Sequence, residues 1–79
     1  MAMVEAYVLI QAEVGRSAEV ADAVRKIPGV RFADVVTGPY DVVVRAEAAE
    51  IDGLGKLIVA KVQAVVCVTR TLTCPVLHL

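Results

Sequence analysis

The stretch Thr37-Gly38-Pro39-Tyr40-Asp41 lies between two runs of valine and is the most conformationally demanding point in a very apolar chain. Its residue types allow recognition chemistry. Gly38 permits a positive φ and close approach of the backbone to a ligand. Backbone N–H groups exposed by such a turn can hold a carboxylate, and Asp41 can hold an ammonium group by a charge-assisted hydrogen bond. Together these would recognise a zwitterion. Glycine, proline and aspartate are also the commonest turn residues for conformational reasons alone. A second set is "TRTLT", where Thr69, Thr71 and Thr73 alternate and place three hydroxyls on one strand face. Threonine is favoured in strands regardless of function.

Other chemistry is poorly supplied. His78 is the only histidine and stands next to last, where a solvated surface role is the ordinary one. Asp34, Asp41, Glu47, Glu50 and Asp52 surround the same turn, with the spacing of charged hairpin flanks. There is no Ser-His-Asp or Cys-His set, no ligand spacing for a metal, and no glycine-rich phosphate loop. The expectation is therefore no catalytic residue, no metal and no cofactor.

The elements that must position the turn follow from periodicity. Residues 3–14 alternate, with Val4, Ala6, Val8, Ile10 and Ala12 on one face and Glu5, Tyr7, Leu9, Gln11 and Glu13 on the other, which predicts a strand. Ser17 is a candidate N-cap for a helix whose Val20, Val24 and Ile27 recur at helical spacing beside Ala21 and Ala23. Pro28-Gly29 stops it. Residues 30–37 and 41–48 read as an antiparallel hairpin around the turn. A second helix over residues 49–64 carries an apolar stripe of Ile51, Leu54, Ile58, Val62 and Val65, weakened at its start by Gly53 and Gly55. A long last strand begins near Val65, and Pro75 within it signals a bulge, an edge or a free tail.

The order is β-α-β-β-α-β, the split βαβ of ferredoxin-like α+β folds. Right-handed crossovers put both helices on one face of a four-stranded antiparallel sheet, with the first and third strands central. The second face then needs cover. Tyr7, Leu9, Val43 and a Thr-rich last strand suit packing on another subunit's sheet.

Composition agrees. The 79 residues make one domain, yet 58% are hydrophobic and the net charge is only −1. Mean hydropathy is +0.72. No uninterrupted apolar run is long enough to span a bilayer, and Glu5 interrupts the first apolar stretch, against a signal peptide. Self-association is what remains to hide the surplus apolar surface. Lysines and arginines are scattered, against autonomous nucleic-acid binding. Cys67 and Cys74, read on one strand, would stand ~23 Å apart, far beyond disulfide reach. They read as free, half-buried thiols of a reducing cytosol.

The "PGV" turn, "VTGPYDVVV", "LGKLIVAKV" and "VTRTLTCPVL", in that order, resemble the effector-binding C-terminal domain of Lrp/AsnC (feast/famine) transcriptional regulators over residues 6–79. The resemblance implies dimers that pack sheet on sheet and assemble into rings, with an amino-acid effector bound between dimers. It implies that Gly38, Tyr40 and Asp41, with Thr71 and Thr73, line the pocket, and that Val36, Ile51 and Leu72 contribute its walls. Two departures stand out. Pro39 replaces a position often acidic or polar, and "VVCV", residues 65–68, stands where the family commonly has Pro-Gly. With no residues left for a helix-turn-helix, the chain reads as a stand-alone cytoplasmic sensing module, neither enzyme nor membrane protein. It would not bind DNA directly but has a possible partner in a full-length regulator. The alternatives are a small dimeric ferredoxin-like oxygenase or isomerase, which usually places a histidine or asparagine in an enclosed cavity, and an ACT-like regulatory domain.

Overall fold

Hydrophobic alternation organises the chain into a four-stranded antiparallel sheet of order β2-β3-β1-β4, covered on one face by helices. The computed structural model describes residues 3–79. Strand β1 is Val4–Ala12, helix α1 is Ser17–Arg25, β2 is Val30–Val35 and β3 is Val42–Ala48. Helix α2 is Ile51–Lys56 and runs on as a π-helical segment, Leu57–Val62, before β4, Val68–Pro75. This is the ferredoxin-like βαββαβ order, with β1 and β3 central.

The predicted inward set of β1 forms the core. Ala6, Val8 and Ile10 are fully buried and stand opposite Ala46, Val44 and Val42 of β3, also buried. Val20, Ala21 and Val24 close over them from α1, and Leu54, Ile58 and Val62 from the second helix. Burying each such side chain is worth ~1.5–3 kcal/mol.

The second helix departs from an ideal α-helix for a readable reason. Its buried residues recur every four positions, and an α-turn holds 3.6, so a stripe of that spacing drifts around the cylinder. Widening the turn keeps Ile58 and Val62 beneath Leu54, and the Gln63 N–H accordingly bonds Ile58 O, five residues back, at 2.9 Å. Ile51 leaves the predicted stripe. It is 61% exposed, because the helix only begins there, and the stripe therefore starts at Leu54.

Four other expectations are corrected. Ser17 is the first helical residue and not the cap. Arg16 occupies the N-cap with no side-chain capping hydrogen bond, and its guanidinium instead donates to Glu19 at 2.9 Å. Cys67 does not belong to the last strand. It precedes β4 with φ +75, a left-handed conformation that glycine adopts without cost. That is the place of the Pro-Gly departure noted above. Of the two free thiols, Cys67 is half-buried but Cys74 is exposed. Finally, Thr71 and Thr73 pair with Ile10 and Val8 and so face the helix layer. The open face of β4 carries Arg70, Leu72 and Cys74, opposite Gln11, Leu9 and Tyr7. The open sheet face is thus apolar and charged, not threonine-rich.

Burial pushes the Cys67 thiol pKa up, and the neighbouring Glu13 carboxylate adds to the shift. No described helix is long and apolar enough to cross a membrane.

Candidate functional site

The turn between β2 and β3 is strapped to the end of β1. The Asp41 N–H donates to Ile10 O at 2.8 Å, and the Val36 N–H donates to Asp41 O at 2.9 Å. The Gln11 amide donates to Pro39 O at 3.0 Å. Asp41 Oδ2 accepts from the Ala12 N–H at 2.8 Å. The aspartate therefore has a structural duty that its spacing in the sequence did not reveal. One carboxylate oxygen remains for other work.

Gly38 justifies its residue type. Its φ is +147, and a Cβ built there would meet nothing within 4 Å. The constraint on a side chain is backbone conformation, and the space beside it is open. Among the described residues, the N–H groups of Gly38 and Tyr40 donate to no backbone carbonyl. Two free donors next to an available carboxylate oxygen form a surface with both halves needed for a zwitterion.

Strand pairing brings the second set to the same end. Val42, which follows the turn, stands opposite Ile10, and Ile10 stands opposite Thr71. The turn and Thr71 are therefore separated by β1, or roughly two strand spacings of ~4.8 Å. The Gln63 amide donates to Thr71 Oγ1 at 2.9 Å, and Thr69 Oγ1 donates to Gln11 O at 3.0 Å. Gln63, Val68, Thr69, Arg70 and Thr71 line a cleft of about 310 Å³. That size suits one small metabolite.

The eight residues singled out from the sequence are only partly brought together. Val36, Gly38, Tyr40 and Asp41 share the turn, and Thr71 lies at its end of the sheet, with Thr73 one step further in. Leu72 points to the opposite face from both threonines, beside Leu9. Ile51 follows the far end of β3, a strand length away from the turn. No single chain gathers all eight. Sequence reasoning missed Gln11 and Gln63, whose amides hold the turn and the cleft wall. Both sit in ordinary polar positions of a strand and a helix end, and no motif marks them.

A separate polar cluster occupies the open sheet face. The Arg45 guanidinium lies 4.9 Å over the Tyr7 ring, donates to Tyr7 Oη at 2.6 Å and pairs with Glu5. His78 Nε2 lies 3.4 Å from the other Glu5 oxygen. The hydrogen bond from Arg45 holds the Glu5 carboxyl below the usual carboxylate range, against the opposing effect of desolvation. The same bond raises Arg45. Among the described residues no three of His, Cys, Asp and Glu converge as metal ligands.

The family model of the Lrp/AsnC ligand binding domain matches residues 5–78. The chain belongs to that family. Among curated proteins, this Lrp/AsnC domain is similar to an uncharacterised HTH-type transcriptional regulator of Pyrococcus furiosus, 34% identical over 55 residues, which cover 70% of this chain and 37% of the relative. The matched part thus spans little more than a third of that relative's length. A protein from Thermus thermophilus superposes with a TM-score of 0.89 at 26% identity, over 96% of this chain and 95% of that one. A Neisseria meningitidis transcriptional regulator, solved as a complex with L-methionine, superposes with a TM-score of 0.83 at 19% identity, over 95% of this chain and 50% of that one. At that identity the likeness is one of fold.

Proposed function

We propose that this Lrp/AsnC domain is an amino-acid-sensing assembly module. Its effector binds between dimers, against the Gly38–Tyr40–Asp41 turn of one copy and the Thr71–Thr73 edge of another. The observation that carries this reading is the turn itself. It is fixed to β1 by its own hydrogen bonds and presents two free N–H donors beside a half-used carboxylate. The scatter of the eight residues over two faces and both ends of the sheet supports a pocket completed by a second subunit. The L-methionine complex of the Neisseria regulator supports an amino acid as the ligand class.

The mechanism is linkage. An effector that bridges dimers binds the assembled state alone and therefore shifts the equilibrium toward the ring. On this reading the domain senses and assembles without catalysis, acts in the cytoplasm, and has a full-length regulator of the same family as a partner. The test is Asp41→Asn. The amide keeps an acceptor for the Ala12 N–H and removes the charge. Calorimetry should show at least a tenfold loss of amino-acid affinity with an unchanged melting temperature. Unchanged affinity would defeat the assignment.

A further inference from the structure

We propose that the groove between the α1–β2 corner and the second helix binds a short aliphatic monocarboxylate, at a site separate from the turn. The groove has a volume of about 250 Å³. Ile27 and Pro28 line one side, and Leu57 and Ala60 line the other. Gly29 fixes how closely the two sides approach. A Cβ there would lie 2.5 Å from Leu57 Cδ1, so only a bare backbone lets Leu57 lean on the corner. The groove lies in the helix layer, so a ligand in it leaves the open sheet face free.

Lys56 and Lys61 complete the lining. Residues five apart stand about 140° from each other around an ideal α-helix. Here the π-helical segment Leu57–Val62 widens the turn that joins the two lysines, and both reach the same groove. Its surface is nearly all carbon. The lysines therefore contribute their aliphatic stems to the wall and hold their ammonium groups in water at the mouth. Both side chains are exposed, and neither pairs with a carboxylate among the described residues. No described carboxylate lines the groove either.

An apolar floor below two cations matches a hydrocarbon chain that ends in a carboxylate. The chain covers Ile27, Leu57 and Ala60 and removes apolar surface from water. The carboxylate takes charge-assisted hydrogen bonds from the ammonium groups. A neutral alcohol of the same length keeps the first gain and loses the second. A free amino acid brings its own ammonium group against two others, which repels it. At ~30 Å³ for each water-sized group, the space holds about eight, as many as the six carbons and two oxygens of hexanoate.

The experiment is calorimetric titration of the full chain with hexanoate and with 1-hexanol. It is repeated on the double variant Lys56→Gln/Lys61→Gln, on Ala60→Leu, which fills the groove, and on Asp41→Asn. In the native protein hexanoate should bind saturably, roughly fivefold or more tighter than hexanol. The double variant should erase that preference, and Ala60→Leu should abolish binding of both ligands. Asp41→Asn should leave hexanoate affinity unchanged. Thermal melts of Ala60→Leu and the double variant should match the native chain, since the three substituted side chains are exposed. Hexanol binding as tightly as hexanoate, hexanoate binding that survives Ala60→Leu, or no saturable binding at all overturns the proposal. Loss of hexanoate binding in Asp41→Asn also overturns it, by placing the ligand at the turn.

Discussion

The Asp41 carboxylate accepts a hydrogen bond from Ala12, twenty-nine residues away, so truncating it removes a strap as well as a ligand group. Asp41→Ala should cost about 1–2 kcal/mol of stability by chemical denaturation, where Asp41→Asn should cost little. The sequence marked Asp41 as polar and well placed, but a partner on a strand so distant in the chain leaves no local trace. Two other backbone sites carry similar information. Gly29 has φ +96, and a Cβ there would lie 2.5 Å from the Leu57 side chain and 2.8 Å from Glu47 O. Gly29→Ala should therefore destabilise by about 2 kcal/mol or more, read from the denaturation midpoint. Gly29 was legible as a helix stop, but its contact with the second helix was not. Cys67 is the reverse case, a side chain where the backbone favours glycine. Cys67→Gly should raise stability by about 1 kcal/mol in the same assay.

Strands were the most legible elements, because burial on one face imposes a period of two. Every inward residue read from β1 is buried or half-buried, and the turn falls where glycine and proline place it. The second helix was less legible. Its stripe was visible, but the π-helical widening depends on packing against β1 and β3, and Gly53 and Gly55 blur its start. The facing of the threonines was also hidden, since alternation gives two sides and only pairing with β1 says which side lies under the helices. Pairing between β1 and β3 also creates the Glu5–Arg45 contact. Arg45 lowers the folded pKa of Glu5 relative to its unfolded value, roughly 4.3. The contribution is therefore complete above that value and fades as the pH falls through the lower, folded one. Glu5→Gln should flatten the loss of stability on acidification below about pH 4.3. Melts collected across that range would show it. Equal acid sensitivity in the variant and the native chain would contradict the assignment.

At the scale of the molecule, the helices cover one sheet face and leave the other unprotected. That face exposes Tyr7 at 36%, Phe32 at 39% and Leu72 at 46%, with Leu9 and Val43 half-buried between them. The excess of hydrophobic residues in the composition was the early sign of this. On the assembly reading, Leu72→Lys should shift the chain toward monomer by light scattering at micromolar concentration, since a buried unpaired charge opposes sheet-on-sheet packing. A fully monomeric native protein would remove the basis for that reading.

The rims of the sheet complete the picture. On edge strand β2, the Ala33 carbonyl is already taken by the Arg25 side chain at 2.9 Å, and Arg25 is itself steadied by Asp22 at 2.7 Å. On the other edge strand, β4 ends at Pro75, which has no N–H to offer a newcomer. A molecule this oily would otherwise be at risk of endless strand-by-strand growth into fibrils. With one acceptor of β2 occupied and β4 stopped by a proline, strand-by-strand addition is disfavoured, and crowding should yield finite particles in place of amyloid.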